Sequence, residues 1–343
     1  MKHRIFNASL ILSAMLISFT SCSNKQSQTA KERDVFAMDT FMTMKAYGDS
    51  AGIALEQAEN RIHELENCLS VTNQESEIYK INSADGAEVP VSYDTALMVE
   101  AGVFYWQETK GALDISIYPV LSEWGFTTGD FHVPDTATIS KLLEKVDGGS
   151  IETNDFTVKI PSGSKIDLGA IAKGYTGDEI MEIFQNNGIT SALISLGGNV
   201  QALGSKPDGS DWRVGIKDPF SPDTNMCVVS ISDKAVVTSG NYERCFTGDD
   251  GKEYWHIIDP DDGFPADNGL VSVTVIGEKG LRCDALSTAL FVAGTDEAQS
   301  YLRNYRDVDA VLVTDDGKIL YTDGLSKCIE ISSDMPSEVI PYD

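Results

Sequence analysis

Apolar residues at Leu55, Ala58, Ile62, Leu65 and Leu69 recur at alternating spacings of three and four, which lines one face of an amphipathic helix. A second helix is predicted from about Thr95 to Thr109, with Ala96, Val99, Val103 and Trp106 on one face, and a short third from Thr138 to Val146. Ile180, Ile183 and Phe184 mark a fourth, stopped by Asn187-Gly188, where glycine accepts the left-handed conformation that ends helices. Asp34 to Tyr47, with Phe36, Phe41 and Met44, predicts a strand. Further strands are expected at Ser191–Leu196, Trp212–Ile216, Cys227–Ile231, Ala235–Thr238, Tyr254–Ile258 and Leu270–Ile276. Asp284 to Val292 has helical spacing, and Thr295 caps another helix through Tyr305. A hairpin follows, Ala310–Thr314 and Lys318–Tyr321 about an Asp316-Gly317 turn. Strands and helices intersperse without a steady βαβ beat, so the expected class is α+β.

The first 22 residues read as a leader rather than part of the fold. Lys2 and Arg4 precede an apolar stretch, Ile5 to Phe19, too short to span a bilayer comfortably. It ends in Phe19-Thr20-Ser21-Cys22, which resembles a bacterial lipoprotein cleavage site. On that reading Cys22 becomes a lipidated N-terminus, and polar residues 23–33 form a flexible tether. The remainder, 34–343, is expected to be one exported, membrane-anchored domain on the periplasmic side. It is large for a single core and suits an enzyme of two lobes.

Composition narrows the partners. The net charge is −27, so nucleic acid is excluded as a partner, because binding it needs a basic surface. A phosphate substrate would have to be held against that field by a local cation. Beyond Cys22, the cysteines Cys68, Cys227, Cys245, Cys283 and Cys328 are scattered without a Cys-x-x-Cys pair; they suggest no zinc cage and are read as small core residues.

Several segments carry candidate chemistry. Asp167-Leu168-Gly169-Ala170-Ile171-Ala172-Lys173-Gly174 is expected to run from a strand (Ser164 to Ile166) into a helix. Small residues and free amides there fit an anion site with Lys173 as mobile cation, and equally a tightly packed corner. Leu196-Gly197-Gly198-Asn199 is a turn or a close backbone approach to a ligand. Asp284 and Thr288, four apart, place a carboxylate and a hydroxyl on one helix face, hard oxygen donors of the kind Mg²⁺ takes; an N-cap and a packed threonine give the same pattern. His256 is the best general base in the chain. Arg244 fits a phosphate clamp or an acid's partner. Leu113-Asp114-Ile115-Ser116 through Trp124-Gly125 has the polar-aromatic mixture of a ligand loop, or of an edge strand and turn.

Taken in order, Met38-Asp39-Thr40, Leu113–Ser116 with Trp124-Gly125, Asp167–Gly174, Leu196–Asn199, Ser239-Gly240-Asn241-Tyr242-Glu243-Arg244, His256-Ile257-Ile258-Asp259-Pro260 and Asp284–Thr288 resemble the ApbE family of FAD:protein FMN transferases, from about Asp34 to Ile329. The resemblance implies a two-lobed α+β fold of mixed and antiparallel sheets flanked by helices, with the site between lobes. It implies cleavage of FAD at its pyrophosphate, attachment of FMN through its phosphate to a Thr or Ser of a membrane redox subunit, release of AMP, and a need for Mg²⁺. By position, the metal ligands are the main-chain oxygen of Ala170, Asp284 and Thr288. FAD contacts fall on Met38, Ala112, Leu113, Asp114, Asp167, Lys173, His256 and Ile258. His256 takes the proton of the acceptor hydroxyl, with Asp284 and Lys173 as the other catalytic groups. The middle position of Met38-Asp39-Thr40 departs from the family, which usually has Gly there. Two alternatives use the same residues: a Mg²⁺-dependent FAD pyrophosphatase, and a flavin-binding lipoprotein without turnover.

Overall fold

The computed structural model describes residues 29–342. The leader, Cys22 and most of the tether lie outside the described residues. No described helix is long and apolar enough to cross a membrane.

The frame is a mixed nine-stranded sheet whose strands follow one another across it in chain order. They are Ala30–Ala37, Thr40–Tyr47, Ser191–Leu196, Asn199–Leu203, Ala235–Gly240, Leu270–Gly277, Val308–Thr314, Ile319–Thr322 and Ser337–Ile340. All neighbours are antiparallel except the last pair. The expected single strand 34–47 is instead a hairpin: Met38 and Asp39 both take left-handed backbone (φ 50 and 56) and fold the chain back, pairing Ala37 with Thr40. That hairpin begins at Ala30, so Ala30–Arg33, read as tether, are sheet residues paired with Met44–Tyr47.

One face of the sheet is covered by helices, because alternate strand residues point there. Helix Ala51–Leu69 buries Ala54, Leu55, Ala58 and Ile62 against Met42, Met44, Ala192 and Ile194, as its three-four spacing requires. Helix Gly280–Asn304 buries Leu286, Leu290 and Phe291 against Val237, Val273, Val275 and Leu312. It spans both predicted segments, which meet at Gly294, where left-handed backbone (φ 80) breaks the helical path. On the opposite face, strands Trp212–Asp218, Ser221–Ile231 and Ile329–Ile331 form a small sheet. Their Val214, Ile216 and Val229 pack on Val236, Ile276 and Val311.

Residues 77–168 build a smaller lobe around helix Tyr93–Glu108 and a three-stranded sheet of Val89–Pro90, Thr157–Lys159 and Glu152–Asn154. Its core merges Met98, Val99 and Val158 with Ile171 and Ala285 of the two long helices. The strand expected at Ser164–Ile166 is absent. Asn82 replaces a strand partner there, its side chain donating to the Ile166 carbonyl and accepting from the Ile166 N–H at 2.9 and 2.7 Å. Strand Glu253–Trp255 also stops short of the expected Ile258. The described cysteines are free; Cys227 and Cys283 are buried as expected, whereas Cys245 is exposed and Cys68 and Cys328 are half-buried.

Candidate active site

Helix Gly169–Asn186 crosses helix Gly280–Asn304 at very short range. A Cβ on Gly174 would lie 2.3 Å from the Gly280 carbonyl oxygen and 2.7 Å from Asp284 Cβ, so only glycine permits the crossing. Two devices fix it. Asp178 accepts the Gly280 and Leu281 N–H groups at 2.8 and 3.0 Å, capping one helix from the other. Gln201, from the sheet, donates to the Gly174 carbonyl at 3.1 Å.

The crossing positions Asp284. Its Oδ2 accepts the Gly174 N–H at 2.7 Å. In an α-helix the residue-174 N–H faces the residue-170 carbonyl, so the carboxylate is carried to the neighbourhood of the Ala170 oxygen. Asp284 is buried. Burial pushes its carboxyl pKa up, against the Lys173 charge and the Gly174 N–H, while Asp178 adds to the rise. Thr288 follows one turn later on the same face, with its hydroxyl 3.3 Å from Ser239 Oγ, which also meets Ser287 Oγ at 2.8 Å.

Lys173 is the shared cation. Its Nζ is 3.4 Å from the Gly169 carbonyl, and its charge stabilises the ionised forms of Asp167 and Asp284 while disfavouring protonation of His256. Asp167 accepts the Gly169 N–H; burial pushes its carboxyl up, with the Arg244 and Lys173 charges opposing. His256 is held by its N–H to the Arg244 carbonyl at 3.1 Å, with its ring edge-on to Phe126. Burial, then the Arg244 and Lys173 charges, pull the imidazole down to about 3, so it is neutral at physiological pH. Its Nδ1 is buried without a hydrogen-bond partner.

The remaining predicted residues surround this cluster in different ways. The Asp167 N–H donates to the Ile115 carbonyl at 2.8 Å, which brings the Ala112–Ile115 loop alongside. Within that loop Leu113 is a core residue. Both Asp114 oxygens are engaged, taking Ser116 N–H and Oγ–H at 2.8 and 2.6 Å and Gly148 N–H at 3.1 Å. What this loop offers a ligand is therefore backbone rather than the carboxylate. Met38 sits at the hairpin tip, its N–H on Glu66 at 2.6 Å and its sulfur 3.8 Å from Thr176 Oγ1. Ile258 packs in a core cluster with Val120, Trp124 and Phe126. Sequence reasoning gave no role to Asp178 or Gln201; the signal was their placement one helical turn and two strand residues from named motifs.

Among the described residues no three His, Cys, Asp or Glu side chains gather as a metal cage. One carboxylate, one hydroxyl and one carbonyl make an all-oxygen, hard donor set that fits Mg²⁺ completed by ligand oxygens and water. The unspent capacity at the crossing agrees: Asp284 Oδ2 accepts the Gly174 N–H, while the buried Asn199 amide beside it makes no hydrogen bond of ordinary geometry.

A buried carboxylate, a shared lysine and a neutral imidazole at the junction of two lobes form an enzyme-like cluster of titratable groups. Comparison with known proteins gives the lineage. The chain matches the ApbE family over residues 38–312 and belongs to it. It is 30% identical to the FAD:protein FMN transferase of Treponema pallidum, over 92% of this chain and 93% of that protein. It is 33% identical to one of Klebsiella pneumoniae, over 82% and 89%. Among solved structures, the ApbE protein of Thermotoga maritima superposes with a TM-score of 0.81 at 29% identity, covering 88% of this chain and 99% of that one. The apo flavinyl transferase ApbE of Pseudomonas stutzeri gives 0.76 at 28%, covering 85% and 93%. The expected two-lobed α+β fold is therefore the fold observed.

Proposed function

We propose that the protein transfers FMN from FAD to a Thr or Ser hydroxyl of a partner redox protein and releases AMP. The observation that carries this reading is the convergence of one cation, Lys173, on Asp167, Asp284 and His256, in a chain whose relatives are FAD:protein FMN transferases.

The acceptor oxygen attacks the phosphorus on the FMN side of the pyrophosphate, the bridging P–O bond breaks, and AMP leaves with the electron pair. The hydroxyl proton passes to His256, which is neutral and so able to accept it. Phosphoryl transfer depends mainly on positioning and charge neutralisation. Lys173 and Arg244 lower the cost of bringing a polyanion to a chain of charge −27. Burial is the main cause of the depressed imidazole, with Arg244 and Lys173 adding to it; the arriving negative charge offsets the two cations and so raises the basicity of His256 by that part. Mg²⁺ held by the Ala170 carbonyl, Asp284 and Thr288 would supply the remaining neutralisation of the pyrophosphate. FAD is further held by backbone of the Ala112–Asp114 loop, by Asp167, and by Met38 and Ile258 at the margins.

The leader supports export and lipid attachment at Cys22, which would put the site beside membrane redox subunits. The test is incubation with FAD, Mg²⁺ and a candidate acceptor domain, followed by denaturing electrophoresis. A fluorescent acceptor band whose mass increases by one FMN supports the reading; FAD recovered intact overturns it.

A further inference from the structure

Asn199 opens strand Asn199–Leu203 directly after the Gly197-Gly198 turn, whose left-handed backbone (φ 60 and 91) ties it tightly to Leu196. The residue is 2% exposed, yet neither Oδ1 nor Nδ2 makes a hydrogen bond of ordinary geometry. A buried amide with both ends unpaired is rare and costly. Gln201, two residues along the same strand, projects to the same face. It spends its own amide on the Gly174 carbonyl and so secures the helix crossing. Asn199 lies on that face at the start of the strand, beside the Asp284 carboxylate. The two carboxamides divide the work: one is satisfied inside the protein, the other is left with its polarity facing Asp284.

We propose that Asn199 is a positioning residue of the site, its unpaired carboxamide orienting Asp284 and contacting the Mg²⁺–pyrophosphate unit of bound FAD. The inference rests on the function proposed above. An amide suits this place because it can donate to a phosphate or carboxylate oxygen and accept from a metal-bound water at once. It adds no charge to a pocket already holding Asp167, Asp178 and Asp284. The arrangement follows the general rule that a group behind a metal ligand orients that ligand.

The test uses the full chain and three measurements: apo melting temperature, FAD affinity by calorimetry as a function of Mg²⁺ concentration, and FMN transfer. Asn199→Leu keeps the branched shape and heavy-atom count and removes the amide; Asn199→Ser is smaller and remains polar. Leu is expected to leave the apo melting temperature unchanged or higher, because an unpaired buried amide is removed. FAD affinity at fixed Mg²⁺ should fall about ten- to a hundredfold, with the Mg²⁺ requirement shifted upward. Ser should recover part of both. An apo melting temperature lowered by several degrees with FAD affinity and Mg²⁺ requirement unchanged assigns Asn199 to the fold and overturns the proposal. Failure of both variants to fold overturns it too. If the unmutated protein neither binds FAD nor transfers FMN, the functional reading itself has failed, and that result is separate from any behaviour of the variants.

Discussion

Gly174 donates its backbone N–H to Asp284 Oδ2 at 2.7 Å, across two helices 110 residues apart in sequence. That bond exists because no side chain separates the helices at position 174. It makes the packing of the fold and the placement of the candidate metal ligand one event.

Gly174→Ala is therefore expected to damage both. Its Cβ would meet the Gly280 carbonyl at 2.3 Å, backbone that cannot simply rotate away. Overpacking of this kind costs about 1–3 kcal/mol, read as a drop in melting temperature, and displacement of Asp284 should weaken Mg²⁺-dependent FAD binding as well. Gly188→Ala is the control. It is strained by left-handed backbone (φ +73) but meets nothing within 4 Å, so it should cost stability without touching FAD affinity.

Asp284→Asn keeps a group able to accept the Gly174 N–H and removes a buried negative charge. The apo protein should melt at the same temperature or higher, since burial disfavours the ionised carboxylate. Turnover should fall by about a hundredfold or more. Retained Mg²⁺-dependent turnover would rule out Asp284 as a ligand.

His256→Gln should slow transfer by about 10²- to 10⁴-fold while FAD affinity stays within a few-fold. It should also change the pH dependence of stability. His256 has a folded pKa of about 3 against an ordinary 6.5, so between these values the unfolded chain holds a proton the folded one lacks. Stability from this residue is complete above about 6.5 and is lost as pH falls toward 3. Half-buried Asp167 and buried Asp284, whose pKa values are raised, contribute in the opposite direction. The difference between wild type and His256→Gln isolates the histidine: the variant's stability should decline less between pH 6.5 and the acid limit of folding.

Arg244 stands 3.8 Å from Asp39, at the tip of the first hairpin. If Arg244 meets the FAD phosphates as proposed, Arg244→Ala should raise the KM for FAD about tenfold, with a smaller effect on kcat. Asp39→Gly should act the other way. It removes an opposing charge and relieves left-handed backbone at a non-glycine residue, so KM should fall modestly and the melting temperature should rise. Steady-state kinetics on the two variants and their double mutant check whether the effects are coupled.

Much of this was legible in the order of residues. The Leu55–Leu69 helix follows directly from its spacing, and Asp284 with Thr288 on one helical face survives folding unchanged. The hairpin at Met38-Asp39 was hidden because neither residue is the glycine that normally signals left-handed backbone. Asp114 sits in a segment that reads from sequence as a ligand loop or as an edge strand and turn, and the fold uses both its oxygens internally. Gln201 and Asp178 escaped notice for a different reason. Their importance lies in the helix crossing, a long-range contact on which local periodicity is silent.

The central claim is that the pyrophosphate of FAD is opened by a protein hydroxyl rather than by water. The most direct measurement quantifies AMP and acceptor-bound FMN in the same reaction with Mg²⁺ and a Thr- or Ser-bearing acceptor, and repeats it with the acceptor residue changed to Ala. Transfer predicts one AMP per FMN attached, and neither product with the Ala acceptor. AMP and free FMN released at the same rate whether or not the acceptor hydroxyl is present would make the protein a pyrophosphatase and contradict the account.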